Sequence, residues 1–449
     1  MAKKSVSQNQ SSISASQVRR RWQEHFRQRM QEIALPDWRC VGVDIGKYEH
    51  VAVITDGFGE LLAKPRRFGV HQKEMDNFFD QVDTICSARD QRPVVGMEPT
   101  GYYYEQLAHE AAKRFGQEQV YLIQSYDTSQ RRKIWNRGSF KNDEVDACIV
   151  AELMREGHGR PYRPPQGVYT TLYHLERYRF AREQAATRLK NQIIGHVYRL
   201  YPGMVIRNKT LRKQYQAMFY SMWNLETPRR LVELFPDPYQ LREQTPESLF
   251  TCFREAGYWM NRPYAAKIIA KTRNLCLPDP ALVAIRSKLL LKDLKSLAST
   301  EKQVADTEEE MARCLDQTWA TWLRPTKVAP YLLASLAATI GDIRQYHSAR
   351  QIFGRSGLHS GCQDSGTRQR RGQGGRIVAP GDRHLRRQLV RFSFAMTTVR
   401  HPALQRYQAK LLKKGLCRTS AQIAIARRLT GIIFAVATKQ EPFDPARFA

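Results

Sequence analysis

Residues 40–55 read Cys40-Val-Gly-Val-Asp-Ile-Gly-Lys-Tyr-Glu-His-Val-Ala-Val-Ile-Thr55, two short runs of β-branched residues separated by a turn that contains glycine. Such runs are typical of β-strands. Two more follow, Pro93-Val-Val-Gly-Met-Glu98 and Gln119-Val-Tyr-Leu-Ile123, and residues 102–114 between them have helical spacing. The sequence therefore predicts an α/β domain that ends near Arg163-Pro-Pro165.

The rest of the 449-residue chain is predicted to be mainly helical. Residues 169–200 and 281–316 carry apolar side chains near heptad spacing. This pattern predicts two long coiled-coil arms, antiparallel or intermolecular, although an ordinary helical bundle fits it as well. The expected organisation is a basic N-terminal arm at 1–38, an α/β domain at 39–165, helical arms at 166–325 with an insertion at 201–280, and a mainly helical C-terminal domain at 326–449.

The chain is strongly basic, with 72 Lys and Arg against 43 Asp and Glu and a formal net charge of +29. Such a surplus favours a polyanionic partner, and nucleic acid comes first because each neutralised phosphate releases a counterion. Residues 344–449 hold 21 Lys and Arg and four Asp and Glu, a net charge of +17. The last quarter of the chain is therefore the most basic region.

Two features argue against a membrane or secreted protein. Apolar runs such as residues 431–438 are shorter than the ~18 residues that a membrane span needs. The first residues lack the apolar centre of a signal peptide. The eight cysteines form no Cys-x-x-Cys pair, so reduced thiols in a cytoplasm are expected.

Four acidic residues stand out against the basic background. Asp44 closes the first strand and Glu98 a later one, while Asp143 and Asp146 are three residues apart, on one face of a helix. Taken singly, each has a plain structural explanation as a turn residue or a helix cap. Together they offer the oxygen ligands that Mg²⁺ prefers, and two such ions can clamp the attacking and leaving oxygens of a phosphodiester displacement. At this point metal ligation and separate structural roles both remain open.

The order of these acids and their flanking residues resembles the RuvC-like DEDD domain of IS110-family transposases, whose relatives include the Piv-type DNA invertases. The matching segments are Val41-Gly-Val-Asp-Ile-Gly-Lys47, Met97-Glu-Pro-Thr-Gly-Tyr-Tyr103 and Lys141-Asn-Asp-x-x-Asp-Ala147, and the resemblance covers residues 39–160. It implies an RNase H/RuvC-like fold for the α/β domain. It also implies a catalytic role for the four acids as ligands of Mg²⁺ or Mn²⁺. Asn142 stands where the family usually has threonine.

A Gly- and Arg-rich loop at residues 357–381 contains the candidate nucleophile. By composition alone it is a phosphate-contacting loop, because glycine lets backbone approach phosphate and arginine makes bidentate contacts. Its pattern of Gly-Leu, Ser-Gly, a basic stretch and Gly-Asp-x-x-Leu-Arg resembles the transposase domain of the same family. Ser365 falls on the family's nucleophilic serine, which implies attack on DNA and a covalent phosphoserine link. Ser360 competes, but it falls where the family often has proline.

The basic stretch departs from the family at one place. The family often has a lysine shortly before the Gly-Asp pair, and this chain has Val378-Ala-Pro380 there, so Arg376 or Arg383 is the candidate substitute. The residues expected to contact nucleic acid are Lys141, Arg368, Arg370, Arg371, Arg376, Arg383 and Arg386.

Aromatic and basic residues alternate at 169–182 and at 215–223. Aromatic side chains among arginines can stack on unpaired bases. A helix core with a solvated basic face explains the same alternation and is the preferred interpretation.

These observations predict an insertion-sequence recombinase that cleaves, exchanges and rejoins donor and target DNA. The resemblance further implies a non-coding bridge RNA as guide, and a homodimer or homotetramer whose active site is shared between protomers. A bacterial cytoplasmic, nucleoid-associated location is expected. Three alternatives stay open: a Piv-like invertase without guide RNA, a metal-dependent junction nuclease that uses only the acidic site, and a non-catalytic nucleic-acid-binding protein.

Overall fold

The structure, a computed structural model, describes Phe26, Met30, Gln31 and residues 33–87, 92–136, 142–358, 381–399 and 402–444. The chain forms two compact units, Met1–Pro164 and Pro165–Ala449. The second unit contains both the predicted helical arms and the predicted C-terminal domain.

The first unit is built on one six-stranded sheet with the order β3-β2-β1-β4-β5-β6. Strands β1, β2 and β3 pair antiparallel, β1, β4 and β5 pair parallel, and β6 returns antiparallel to β5. This mixed sheet is compatible with the predicted RNase H-like domain. The strands are β1 Cys40–Asp44, β2 Glu49–Thr55, β3 Arg66–Gly69, β4 Val94–Met97, β5 Val120–Leu122 and β6 Arg160–Pro161.

The α-helices described after β1 in this unit are α1 Gln72–Ser87, α2 Tyr104–Phe115, α3 Ser125–Asn136 and α4 Asp143–Arg155. Helices α1, α2 and α4 pack on the sheet, and α3 packs on α4. The buried residues Val41 and Val43 of β1 belong to one core cluster with the apolar side chains of α1 and α2. Val51 and Val53 of β2 form a second cluster with residues of α4. Both faces of the central strands are therefore buried, as expected for an α/β sheet.

The four strand predictions and the helix at 102–114 are confirmed, the helix with bounds shifted by one or two residues. Strands β3 and β6 and helices α1 and α3 had not been predicted. The described part of the predicted N-terminal arm, residues 1–38, packs on the α/β domain. Phe26 and Met30 are buried, and the Phe26 ring lies edge-on to Tyr121 at 5.6 Å and to Trp38 at 6.3 Å. Aromatic packing on the α/β domain fixes this part of the arm.

Two long helices dominate the second unit, α5 Val168–Leu200 and α11 Pro280–Arg313. They pack against each other within the chain. The two helices are antiparallel, because the residue numbers of the paired side chains rise along α5 while those of their partners fall along α11. The ion pairs are Arg179–Glu308 at 3.3 Å and Lys190–Glu301 at 2.8 Å, and further along Nε2 of His196 lies 3.4 Å from the carboxylate of Asp293. Coiled-coil packing between the arms stays a prediction.

The segment between the arms, residues 201–279, is here called the tip domain. Its helices are α6 Lys209–Gln214, α7 Glu226–Leu234, α8 Pro238–Glu243, α9 Pro246–Glu255 and α10 Arg262–Arg273. The buried apolar residues of the tip domain form one cluster with Ile193 of α5 and Leu290 of α11. The tip domain thus shares its core with the distal ends of the arms.

The C-terminal part has helices α12 Pro330–Ile340, α13 Ala349–Ser356, α14 Arg383–Thr398, α15 Pro402–Lys413 and α16 Arg418–Lys439. Short 3₁₀ helices lie at Leu35–Asp37, Gln117–Gln119, Leu315–Gln317, Trp319–Thr326 and Ile343–Gln345. The core of this part includes Leu172 and Met311, so the proximal ends of the arms are integral to it.

In the described part of the chain, α16 is the one helix long and apolar enough to cross a membrane by length and composition. Its most apolar 18-residue window has a mean hydropathy of 1.3, and half of that window is buried inside the protein. Leu429 and Ile433 of α16 are fully buried in the C-terminal core. The helix therefore serves as a core helix of a folded unit.

Candidate active site

Two glycines let helix α4 lie directly on the sheet. A Cβ atom added at Gly42 of β1 would stand 2.3 Å from the carbonyl oxygen of Ala147, and one at Gly96 of β4 would stand 2.2 Å from Cγ of Met154. Only glycine permits such close approach of a helix to a strand. The glycine two residues before each strand-end acid therefore sets the position of α4.

The strand-end acids follow these glycines. Side chains alternate along a strand, so Asp44 lies on the same face as Gly42, the face that α4 covers. Strands β1 and β4 are parallel neighbours with Val43 opposite Met97. Asp44 and Glu98, the residues after this pair, therefore lie at equivalent positions at the carboxyl edge of the sheet.

The N-terminus of α4 supplies the other two acids. Asn142 caps this helix, because its side-chain oxygen accepts a hydrogen bond from the backbone N–H of Glu144 at 3.1 Å. Asparagine is at least as good an N-cap as the threonine usual in the family, so this departure preserves the cap. Asp143 is half-exposed, and Asp146 is only 5% exposed beside Ala147, which touches β1.

Helix α3 holds two of the four acids through neighbouring side chains. The buried Thr128 hydroxyl donates to Oε2 of Glu98 at 2.6 Å. One turn later, Nε of Arg132 donates to Oδ1 of Asp146 at 2.6 Å. Arg131 contacts the C-terminal end of α4, where it pairs with Glu152 at 3.0 Å and with Glu156. These contacts were missed by sequence reasoning, although positions 128, 131 and 132 share one helix face at i, i+3 and i+4.

A second arginine contact to the four acids reaches Asp143 from the sheet. Nη1 of Arg67 on β3 lies 3.6 Å from Oδ2 of Asp143 and 3.0 Å from Oε2 of Glu49. Arg67 is opposite Val51, which in turn is opposite Asp44, so it lies in the same row across the strands. Asp143 and Asp146 are thus both paired with arginine in this conformation.

The four acids fit a hard divalent cation by donor chemistry, since carboxylate oxygens are the ligands that Mg²⁺ takes. Their arrangement does not yet form such a site. Within the residues that the structure describes, no three Asp, Glu, His or Cys side chains converge in a group that could hold a metal ion. Ligation by all four would require Arg132 and Arg67 to release Asp146 and Asp143.

The candidate nucleophile Ser365 and its competitor Ser360 lie outside the described residues, as do Lys141, Arg368, Arg370, Arg371 and Arg376. The two ends of the loop that carries the serines are described, and they meet. A Cβ added at Gly381 would lie 2.8 Å from Cα of Gly357, and the N–H of Asp382 donates to the carbonyl of Arg355 at 2.8 Å.

Charged groups hold the loop ends together. The Arg355 guanidinium pairs with the Asp382 carboxylate at 3.0 Å, and the same carboxylate caps α14 by accepting from the N–H groups of His384 and Leu385. Burial alone would raise the pKa of Asp382, but the Arg355 charge and these hydrogen bonds hold that pKa below its ordinary value. Arg386 donates to the Gly357 carbonyl at 3.5 Å, whereas Arg383 is exposed.

Sequence comparison places both halves of this arrangement in one family. Residues 41–202 match the domain model of the DEDD transposase of IS110, and residues 327–409 match that of the transposase IS116/IS110/IS902 family. Together the two matches cover more than half of the chain. The chain belongs to the IS110 family of transposases. It is also 26% identical, over 90% of its length and 96% of the relative, to the insertion element IS116 uncharacterized 44.8 kDa protein of Streptomyces clavuligerus.

Transposases act on DNA, so this IS110-family member is a DNA-processing enzyme of an insertion sequence. The first match spans the whole acidic site, and the second begins just before α12 and extends into α15. The DEDD class also indicates dependence on a divalent metal.

A buried charge network in the transposase joins arm α5 to the helices around the serine loop. Arg179, which is fully buried, donates to Glu176 at 2.9 and 3.1 Å and to Glu183 at 2.7 Å. Glu176 also accepts from Ser335 of α12 at 2.8 Å and from Gln388 of α14. The charges of Arg179 and Glu176 can be buried here because each is paired with the other and with further hydrogen-bonding groups.

Glu183 extends the network to α14. It pairs with Arg387 at 2.5 Å and with Arg391 at 3.3 Å. Burial would raise the pKa of Glu183, but the charges of Arg179, Arg391 and Arg387 hold it below its ordinary value. Because α14 begins directly after the serine loop, this network fixes the C-terminal end of that loop against the arm.

Proposed function

We propose that this transposase cleaves, exchanges and rejoins DNA strands through a covalent phosphoserine intermediate at Ser365. The four acids Asp44, Glu98, Asp143 and Asp146 hold Mg²⁺ or Mn²⁺ in the reaction. One observation carries the proposal: four acids from three separate segments of the chain lie at the carboxyl edge of one sheet and at the start of the helix that covers it.

The chemical step conserves the phosphodiester bond. The Ser365 oxygen forms a bond to phosphorus as the bond from phosphorus to one sugar oxygen breaks, and that sugar oxygen leaves with a proton. The reverse attack by a sugar hydroxyl of another strand releases the serine and completes the exchange. No bond energy is lost to hydrolysis, so rejoining needs no nucleotide cofactor.

The bound cations would supply Lewis-acid stabilisation of the oxygens that gain charge. The chain's own residues keep the acids in position. Thr128 fixes the rotamer of Glu98 through its hydroxyl, and α4 holds Asp146 against β1 through the close contact at Gly42. Arg132 and Arg67 compensate the charge of Asp146 and Asp143 when no cation is bound.

Trapping of the protein–DNA adduct tests this mechanism. Insertion-sequence end DNA is incubated with protein and Mg²⁺, and adducted peptides are mapped by mass spectrometry. We expect a DNA adduct at Ser365 that disappears in Ser365→Ala and persists in Ser360→Ala, the matched control. Strand exchange without any adduct at Ser365 would falsify the serine assignment. Asp146→Asn should abolish the adduct and leave DNA binding intact.

We further propose an active site shared between protomers of a homodimer or homotetramer. The test mixes two inactive proteins, Asp146→Asn and Ser365→Ala, and measures strand exchange. If the acids and the serine of one site come from different protomers, mixed oligomers regain activity. If each site is complete within one chain and works alone, the mixture stays inactive.

A non-coding RNA guide is the last part of the proposal, and the net charge of +29 supports a large nucleic-acid partner. We expect the purified protein to carry a discrete RNA encoded beside its own gene, and strand exchange to stop after RNase treatment. Full activity of RNA-free protein would instead favour a Piv-like recombinase that needs no guide.

A further inference from the structure

The tip domain and the adjacent end of α5 carry a basic surface that the proposed chemistry does not use. Residues 184–225 contain seven Lys and Arg and no Asp or Glu. Helix α10, which also lacks acids, packs beside this stretch through a hydrogen bond from Nζ of Lys271 to the carbonyl of Ala217 at 2.9 Å. Burial and the charges of Arg212 and Lys267 lower the pKa of Lys271. Lys190 of this stretch pairs with Glu301 of α11 at 2.8 Å, and the remaining positive charge favours an anionic partner.

A cavity of about 280 Å³ opens in this surface between the end of α5 and the segment that follows it. Apolar side chains, among them Val197 and Met222, line it together with Asn191, Tyr198 and Arg207. This volume is close to the lower end of ligand pockets, about 300 Å³, so the cavity suits one flat ring system.

Exposed tyrosines flank the cavity. Tyr198 lines it with 50% of its surface exposed. Tyr220 is 41% exposed, and the Arg212 guanidinium lies over its ring, 5.5 Å from the centroid. The Tyr220 segment pairs with the cavity wall, since the N–H of Ile206 donates to the carbonyl of Phe219 at 3.0 Å. Tyr198 and Arg207 thus line a partly apolar cavity, and Tyr220 with Arg212 lies on the segment paired with its wall.

We propose that this cavity binds a base of an unpaired nucleic-acid strand. Tyr198 stacks on the base, and Arg207 and Arg212 contact the flanking phosphates. Stacking and phosphate contact without reading of base edges is how proteins bind single strands regardless of sequence. A duplex fits less well, because its bases are stacked on each other and cannot enter a cavity. The inference rests on the proposed function only in taking nucleic acid as the partner.

Neither contact needs a 2′-hydroxyl, so a DNA strand opened during transposition and an unpaired RNA segment offer the same chemistry. The experiment therefore uses oligo(dT) and oligo(rU) as separate probes, with a DNA duplex as the third. Fluorescence anisotropy gives the Kd of the full chain for each probe in EDTA at fixed salt. The tighter of the two single-stranded probes identifies the source of the strand.

Tyr198→Ala should weaken single-strand binding by about 5- to 100-fold, and Tyr198→Phe should retain it, since phenylalanine still stacks. Arg207→Gln should reduce the salt dependence of single-strand binding by about 0.7 in log Kd per log salt, the share of one phosphate. Oligomers that carry 5-iodouracil should cross-link under ultraviolet light to the peptides that contain Tyr198 or Tyr220. The duplex Kd should not respond to Tyr198→Ala.

Unchanged single-strand binding in a folded Tyr198→Ala protein, with cross-links confined to other peptides, would overturn the inference. Tyr178→Ala is the matched control. This tyrosine is 46% exposed and beside Arg182 on the same helix, but 20 residues, about 30 Å, from Tyr198. Failure of the proposed catalysis stays distinguishable, because Ser365→Ala and Asp146→Asn proteins should bind the single strand like wild type.

Discussion

Replacement of Arg132 by glutamine tests whether the acidic site exchanges an arginine for a cation. Asp146 is 5% exposed, and its Oδ1 accepts from Nε of Arg132 at 2.6 Å. If Asp146 is a metal ligand, a cation entering the site must displace this arginine. Arg132→Gln should therefore destabilise the cation-free protein and strengthen the stabilisation that added Mn²⁺ or Mg²⁺ provides.

The magnitude follows from the burial of the pair. Removing one partner of a buried ion pair costs about 3–5 kcal/mol. The Arg132 side chain is 26% exposed, so solvent screens part of the interaction and the lower end, about 3 kcal/mol, applies. For a unit of this size about 1 kcal/mol shifts Tm by roughly 2–4 °C, which gives a decrease of roughly 6–12 °C.

Thermal unfolding in EDTA and in saturating Mn²⁺ measures both effects. In wild type the cation competes with Arg132, so the rise in Tm on adding Mn²⁺ should be smaller than in Arg132→Gln. Binding at 100 times Kd contributes about 2.7 kcal/mol, enough to offset most of the loss in the variant. Arg131→Gln is the matched control, because it breaks ion pairs to Glu152 and Glu156 on the same helices without touching a candidate ligand.

Two results would refute this reasoning. If Arg132→Gln has the wild-type Tm in EDTA, the ion pair contributes nothing to stability. If the variant loses stability but responds to Mn²⁺ no more than wild type and Arg131→Gln do, Asp146 is not a ligand and its pairing with Arg132 is purely structural.

Three further predictions concern packing, positioning and pH. Gly42→Ala should lower the free energy of unfolding, measured in urea, by about 1–3 kcal/mol, because the new Cβ would lie 2.3 Å from the Ala147 carbonyl oxygen. Gly195→Ala is the control: its Cβ would meet only the flexible end of Arg199 at 3.3 Å, so it should stabilise the protein by up to about 1 kcal/mol. Thr128→Val removes the 2.6 Å hydrogen bond to Glu98 and should slow DNA cleavage without changing the Kd for DNA. Thr128→Ser keeps the hydroxyl and should cleave at the wild-type rate. Equal cleavage rates in wild type and both variants would exclude a positioning role for Thr128. The pKa of Glu183 lies below its ordinary value of 4.5 in the folded protein, so its stabilising effect is complete above pH 4.5 and disappears as pH falls through the folded pKa. The difference in unfolding free energy between wild type and Glu183→Gln should therefore be constant at neutral pH and shrink in acid; a difference independent of pH would contradict the ionic network.

Much of the α/β domain could be predicted from the local sequence pattern. The β-branched runs at 40–55 predict two strands because branched side chains favour extended backbone, and the structure places strands β1 and β2 there. Strand β3 was missed because Arg66–Gly69 contains two arginines and has no apolar alternation. Only its pairing with β2 makes it a strand.

In the candidate site, too, the sequence pattern predicts some features and tertiary packing decides the others. The positions of Asp44 and Glu98 at the ends of their strands, and of Asp143 and Asp146 on one face at a helix start, follow from the local sequence pattern with periods of 2 and 3.6 residues. The identity of the residues that contact these acids does not follow from sequence periodicity. Thr128 is 30 residues from Glu98 and Arg132 is 14 residues from Asp146, so their contacts depend on how α3 packs on α4.

The sequence by itself determined the class of this protein: an α/β domain with four ordered acids, a Ser-Gly loop in a basic C-terminal region, and the family to which these motifs belong. Only the tertiary structure decided that α5 pairs antiparallel with α11 inside one chain, that arginines neutralise two of the acids, and that a cavity forms at the tip of the arms. Motifs and periodicity are local properties of the chain. Charge pairing and cavities arise where distant segments meet, and burial there determines which side chains must find a partner.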